Sequence, residues 1–342
     1  MNAISTRALE AARAADHHPD PSRLDKATYM AIKAQLELRP SPWPAAGILA
    51  LNASLAALGL WLLSLGTTPA FLLSQLIFPI VFFQAFSILH ECGHGSFSSK
   101  SWLNTLVGHY ASPLCFLPYF SWKIQHAQHH VWSGNLEKDP SLKLLRDWRA
   151  TQRVPWLVKI AWRSWIPLAG AMNHVVYWLY PITIFRTGTP SQFRRCLASL
   201  LWMFAAYAGA RYAWPEIFAI GNFALAIVIY LVAVELVNLP HHSDQPSTSE
   251  KLALWEQAYS TRSCYYPKLV SELLVLNFNF HIEHHLFPSL PWYRLRGARA
   301  LIKPALGAGY KEAIGIRWNL ANRTKDIRQV LRAQSLPPPA DQ

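Results

Sequence analysis

Residues 70–90 read AFLLSQLIFPIVFFQAFSILH, an uncharged run that continues directly into HECGH at 90–94. As a helix, the run is long enough to cross a bilayer, at about 20 residues per span. It also delivers His90 and His94, four residues apart and therefore on one helical face, at its end. The string HECGH matches H-E-x-x-H, in which two zinc ligands lie one turn apart and the glutamate acts as general base. Two readings follow: an intramembrane zinc protease, or a membrane protein in which HECGH supplies part of a larger metal centre.

Upstream, 45–66 (AAGILALNASLAALGLWLLSLG) is also uncharged, so the two runs form a helical hairpin around TTP. A second hairpin is expected from 197–214 and 217–238, joined at Pro215 and Glu216. Between the hairpins, 102–121 and 156–185 are apolar but interrupted by Pro113, Pro118, Lys159, Arg163, Pro167 and Pro181, which suits interfacial or re-entrant segments. The 342 residues are 52% hydrophobic and only 15% charged, too apolar for a pair of soluble domains. The expected fold class is all-α and integral to the membrane, with four transmembrane helices in two hairpins. Residues 1–44 form an N-terminal cytoplasmic segment, 45–330 the membrane domain, and 331–342 a Pro-rich disordered tail.

Four spans in two hairpins put both termini and the middle segment on one side. Lys and Arg test this: six precede the first span, twelve lie between the hairpins, thirteen follow the last, and Arg211 alone sits near the far side. By the positive-inside rule the shared side is cytoplasmic, facing in from the inner membrane if the cell is bacterial. The net charge of +13 is thus a topology signal with an anionic-lipid contact. Nucleic acid is excluded as a partner, because the bases form no aromatic-interleaved stripe. Trp43, Trp102, Trp122, Trp156 and Trp214 fall near span ends, as headgroup-level anchors do. The 4 cysteines are scattered without CxxC and read as reduced thiols. No secretory h-region is visible in the first 40 residues.

Ten of the 14 histidines cluster on the cytoplasmic side: His90 and His94; His126, His129 and His130 (HAQHH); His241 and His242 (NLPHH); His281, His284 and His285 (HIEHH). His17, His18, His109 and His174 stand apart as surface or capping residues. Spacings of three and four let His126 converge with His129 and His130, and His281 with His284 and His285. One metal ion takes two to four protein ligands, so eight to ten imidazoles indicate two adjacent metals.

HECGHGSF, HAQHH with its downstream Asp139–Pro140, and NFHIEHHLFPSLPW resemble the three histidine boxes of the membrane fatty acid desaturase and hydroxylase superfamily, over roughly residues 85–295. The resemblance implies a four-helix base with a cytoplasmic helical cap holding a diiron site (Fe2+/Fe3+), O2 as co-substrate, and a separate electron donor, ferredoxin or cytochrome b5. It assigns iron ligation to His90, His94, His126, His129, His130, His281, His284 and His285, with His242 as an additional ligand. Asn238 approaches through water, and His241 is the weaker ligand. Asp139, Asp244, Glu91 and Glu283 are candidate acceptors orienting the imidazoles.

The implied activity is desaturation of a long-chain acyl lipid or acyl-CoA, whose chain enters an apolar tunnel near Phe116, Phe120 and Trp122. A carotenoid hydroxylase or ketolase shares the first hydrogen abstraction and stays open as the alternative. A protease would leave HAQHH and HIEHH unexplained and needs an Asn/Pro and Asp-Gly element not found here. A transporter needs ionisable groups deep in the spans, which offer little beyond Asn52, Gln75, Gln84, Asn222 and Glu235.

Overall fold

The computed structural model describes residues 20–142 and 154–331. The expectations for residues 1–19, including His17 and His18, and for the tail from 332 on lie outside the described residues. The helices are α1 (Lys26–Lys33), α2 (Pro42–Ser64), α3 (Thr68–His94), α4 (Ser101–Cys115), α5 (Tyr119–Val131), α6 (Trp156–Arg163), α7 (Leu168–Thr187), α8 (Pro190–Ala213), α9 (Ala224–His242), α10 (His281–Leu286), α11 (Leu295–Leu306), α12 (Gly315–Arg323) and α13 (Ile327–Leu331).

Among the described residues, α2, α3 and α9 are long and apolar enough to cross a membrane. The helix over the third expected span (197–214), α8, carries Arg194, Arg195 and Arg211 and is less apolar. It starts earlier than expected, at Pro190, because Thr189 and Gln192 form a reciprocal capping box. The run expected to begin at 217 becomes helical only at Ala224, after a tight turn at Ile220–Asn222, and continues through Pro240 to His242.

At 1.5 Å per residue α3 rises about 40 Å, roughly 10 Å more than the hydrocarbon it would cross. The excess is enough for the last turns, which carry His90 and His94, to lie beyond the hydrocarbon. Gly95 then stops the helix in the left-handed region at φ 73°, with its N–H donated to Cys92 O. The segment 102–121 contains α4, whose 15 residues span only about 22 Å. The segment 156–185 divides at Ser164–Pro167 into α6 and α7.

The main core forms around α3, where Phe78, Phe82, Phe83, Phe86 and Leu89 meet Tyr119, Trp122, Tyr230 and Phe278. A second core of Ile282, Leu286, Leu290, Leu295 and Ile302 joins α10 and α11 to Tyr29 and Ile32 of α1. Among the described residues the fold is mostly helical, departing from the all-α expectation where β1 (Ser263–Tyr265) pairs in parallel with β2 (Glu312–Ile314) and at the isolated bridge between Asn135 and Thr248. Three-residue strands carry no readable alternation, and the β1–β2 ladder fastens the segment before HIEHH to the residues that lead into α12.

The polar residues of the spans are engaged in packing. Asn52 Nδ2 donates to Val81 O at 3.0 Å, Gln84 Nε2 to Leu273 O at 2.7 Å, and Gln75 Nε2 to Asn222 O at 2.9 Å. Glu235 accepts from the Gly170 amide and pairs with Arg323 at 2.6 Å, tying α12 to α9. An ion pathway would leave such groups facing a channel, so this arrangement disfavours transport.

Candidate metal centre

Four chain segments bring nine histidines into two adjoining groups. His90, His94, His126, His130 and His284 form the first, and His129, His242, His281 and His285 the second; within each, the candidate ligand nitrogens lie within 4.8 Å of one another. The sequence explains the split. HAQHH and HIEHH each occupy one helix, where the i, i+3 and i, i+4 neighbours share a broad face, so each box contributes to both groups.

In the first group the Nε2 atoms of His94 and His126 are 2.9 Å apart, those of His126 and His130 3.1 Å, and those of His130 and His284 3.0 Å. In the second, His242 and His281 are 2.8 Å apart and His281 and His285 3.1 Å. Adjacent nitrogens around a first-row metal at about 2.1 Å are separated by roughly 3.0 Å at right angles. Among the described residues the buried Nε2 of His90 finds no hydrogen-bond partner. Converging lone pairs and an orphaned ring nitrogen fit a cation in each group.

Electrostatics point the same way. Burial, reinforced by the neighbouring imidazoles, pushes His126, His130, His281, His284 and His285 well below the usual histidine value. Neutral imidazole is the metal-binding form.

The second group is held by outer hydrogen bonds. His129 Nδ1 donates to both oxygens of Asp139 at 3.0 Å, which leaves Nε2 facing the group. Against the upward push of burial, His129 and the hydrogen bonds from it and Ser141 hold Asp139 below the ordinary carboxylate value. His285 Nδ1 donates to Gln257 Oε1 at 2.9 Å, and Gln257 Nε2 donates to His130 O at 2.7 Å, so one glutamine braces both boxes. His242 Nδ1 reaches Ser260 O at 3.3 Å. Sequence reasoning missed Gln257 and Ser260: each is an isolated polar residue in the turn Leu254–Ser260, without periodic signal.

The first group is walled by rings. Trp122 stacks on His126 at 4.4 Å, and Phe278 lies 4.8 Å from His90. Trp122 was expected at the membrane surface with the other four. Trp43, Trp102, Trp156 and Trp214 are indeed exposed, but Trp122 is 3% exposed. It fits because Gly93, inside HECGH, has no Cβ; one placed there would sit 2.5 Å from the indole.

The remaining candidates sit beside the groups. Glu91 accepts from Ser96 Oγ at 2.8 Å and the Trp292 amide at 3.1 Å, and lies 3.4 Å from His90 Nδ1. Glu283 accepts from Ser263 Oγ and Tyr310 OH, both at 2.6 Å, which pins α10 to β1; burial raises its carboxyl above the usual value. Asp244 pairs with Arg262 and with Trp318 rather than with an imidazole. Asn238 Nδ2 donates to Val234 O of its own helix at 2.9 Å. His241 belongs to neither group and stacks flat on His281 at 4.2 Å. His109 and His174 each bond a carbonyl one turn back. Phe116 packs on Phe82, and Phe120 on His109. The four cysteines are free and buried.

With this geometry in place, comparison with known proteins is decisive. The fatty acid desaturase family profile matches residues 66–315, which include all nine grouped histidines. The chain belongs to the fatty acid desaturase family. Among its relatives, an sn-1 acyl-lipid omega-3 desaturase (ferredoxin) of Synechocystis sp. is 26% identical over 71% of this chain and 72% of its own length. An sn-1 oleoyl-lipid 12-desaturase of Anabaena variabilis is 27% identical over 82% of each chain. A second sn-1 oleoyl-lipid 12-desaturase, from Picosynechococcus sp., is 29% identical over 69% of each. This desaturase is therefore an oxidoreductase and membrane-associated, and its two histidine groups are the metal-binding candidates of the fold. HECGH is the first histidine box of a desaturase, and the protease reading is set aside.

Proposed function

We propose that the desaturase holds two iron ions and uses O2 to place a double bond in a long acyl chain carried on a membrane lipid, with electrons from a ferredoxin-type carrier. The observation that carries this reading is the pair of groups whose ligand nitrogens lie within 4.8 Å of one another, the nearest pairs 2.8–3.1 Å apart. His90, His94, His126, His130 and His284 would hold one ion, and His129, His242, His281 and His285 the other. Asn238 and His241 join only by a water or a rotation of the ring. When bound, iron supplies the oxidising power needed to take hydrogen from an unactivated methylene.

The protein's own residues supply position and dryness. Asp139, Gln257 and the Ser260 carbonyl fix which ring nitrogen carries the proton in His129, His285 and His242. Trp122, Phe86 and Phe278 form an apolar wall against the first group, which suits the alignment of one C–H bond and the exclusion of water. The charge distribution supports four spans, α8 joining α2, α3 and α9, in two hairpins with the histidines on the cytoplasmic side. The relatives' names favour acyl-lipid over acyl-CoA and ferredoxin over cytochrome b5.

The test is expression in a host supplied with ferredoxin, followed by mass spectrometry of total lipids and added carotenoids. Acyl lipids two hydrogens lighter, absent with His129→Ala or His284→Ala, are the expected product. Products gaining oxygen would instead establish a hydroxylase or ketolase.

A further inference from the structure

The loop leaving α5 carries two features at once. Asp139 turns inward onto His129, and Lys138, its neighbour, turns outward with its Nζ 4.1 Å from the centre of the Trp132 ring. Lys251 approaches the same ring at 5.9 Å from a different loop. Both lysines are exposed and Trp132 is half-buried. Trp132 sits three residues after His129, and its backbone N–H points at the Gln128 and His129 carbonyls at 3.0 and 3.3 Å.

The two loops are fastened together. Thr248 N donates to Gly134 O at 2.9 Å, and Asn135 Nδ2 donates to the Ser249 carbonyl at 2.9 Å. The indole and its two cations are thus mounted on a braced rim that is joined to the second histidine group through the His129 carbonyl. Cation–π contacts hold ammonium groups over a ring without neutralising them, and Lys138 and Lys251 have no carboxylate partner within salt-bridge range among the described residues. Glu137 and Glu250 stand beside them on the same two loops, while the two ammonium groups converge on the Trp132 ring.

From this arrangement we infer that Trp132, flanked by Lys138 and Lys251, is the docking point for an acidic one-electron carrier protein that reduces the desaturase. The inference rests on the proposed function and adds the surface through which electrons arrive. A large ring between paired charges has the composition of an interface anchor, and exposed lysines steer an anionic partner through an encounter. Each docking event moves one electron from the reduced carrier, which leaves oxidised. Two events, together with the two hydrogens removed from the acyl chain and two protons from solvent, reduce one O2 to two waters and leave one C=C bond.

The test measures binding of a plant-type [2Fe–2S] ferredoxin to the detergent-solubilised full chain across a salt series, then the rate at which reduced ferredoxin reduces it. Lys138→Glu with Lys251→Glu is expected to weaken binding at low salt at least about ten-fold and to flatten its salt dependence. Trp132→Ala is expected to weaken binding several-fold and leave the salt slope in place, and Glu250→Gln to tighten it. Iron content and reduction by a small neutral photoreductant are expected to stay at the level of the unaltered protein in all variants, which separates lost docking from lost folding. Wild-type affinity and salt slope in the double variant would overturn the inference. So would a double variant that loses binding to vesicles containing an anionic phospholipid while keeping ferredoxin. If the purified chain held no iron but ferredoxin binding still followed these residues, the metal assignment would fail and the docking surface would stand.

Discussion

His126 lies under the face of Trp122, whereas His129, three residues on along the same helix, gives its Nδ1 proton to Asp139. That contrast runs through the two histidine groups. Rings of Trp122 and Phe278 position the first, and Asp139, Gln257 and Ser260 position the second through hydrogen bonds. An apolar wall suits the face that meets an acyl chain. A polar frame fixes imidazole tautomers. One helix serves both because HAQHH spreads its three histidines over about one turn.

The largest expected effect comes from removing a ligand on either side of the comparison. His284→Ala strips the first group and His285→Ala the second, and each is expected to abolish desaturation while lowering iron per chain. Retained activity in either variant breaks the pairing of the two groups. Next in size is the frame: Asp139→Asn is expected to cost about 10–100-fold in metal affinity or activity, and Gln257→Leu to act in the same direction through both His285 and His130. Metal affinity measured by chelator competition checks both; an unchanged value would mean the second group does not depend on its outer partners.

The wall should behave differently. Trp122→Leu is expected to leave iron content alone and slow turnover about ten-fold, since a misplaced C–H bond is costly. Gly93→Ala, which drives a methyl into the indole, is expected to resemble it. Loss of iron in Trp122→Leu would erase the distinction between the groups.

The smallest effect is on stability against pH. For His126, His130, His281, His284 and His285 the folded values lie below the unfolded one, so the unfolded chain binds more protons as pH falls through about 6.5. Stability of the metal-free protein is therefore expected to be flat above that pH and to fall below it, read as Tm from pH 8 to 5. A Tm that rises on acidification would contradict burial of neutral imidazoles.

The three boxes were legible because their histidines repeat at helical spacing, and three of the four expected spans because they are long stretches without charge. Boundaries were less so. The start of α9 at Ala224 and of α8 at Pro190 depended on a tight turn and a capping box that hydropathy does not register. Gln257, the β1–β2 ladder, and the partners of Glu283 and Asp244 were not legible, since each is a tertiary contact between segments far apart in sequence. Trp122 misled because a tryptophan near a span end is a common interface anchor; only the missing Cβ at Gly93 hints that the ring turns inward.

The most direct test of two metals in two neighbouring histidine groups is a determined structure of iron-loaded protein with anomalous maps at the iron edge, alongside elemental analysis. Two iron peaks per chain are predicted, one among His90, His94, His126, His130 and His284 and the other among His129, His242, His281 and His285. A single peak, a zinc ion in place of iron, or peaks outside these groups would contradict the account.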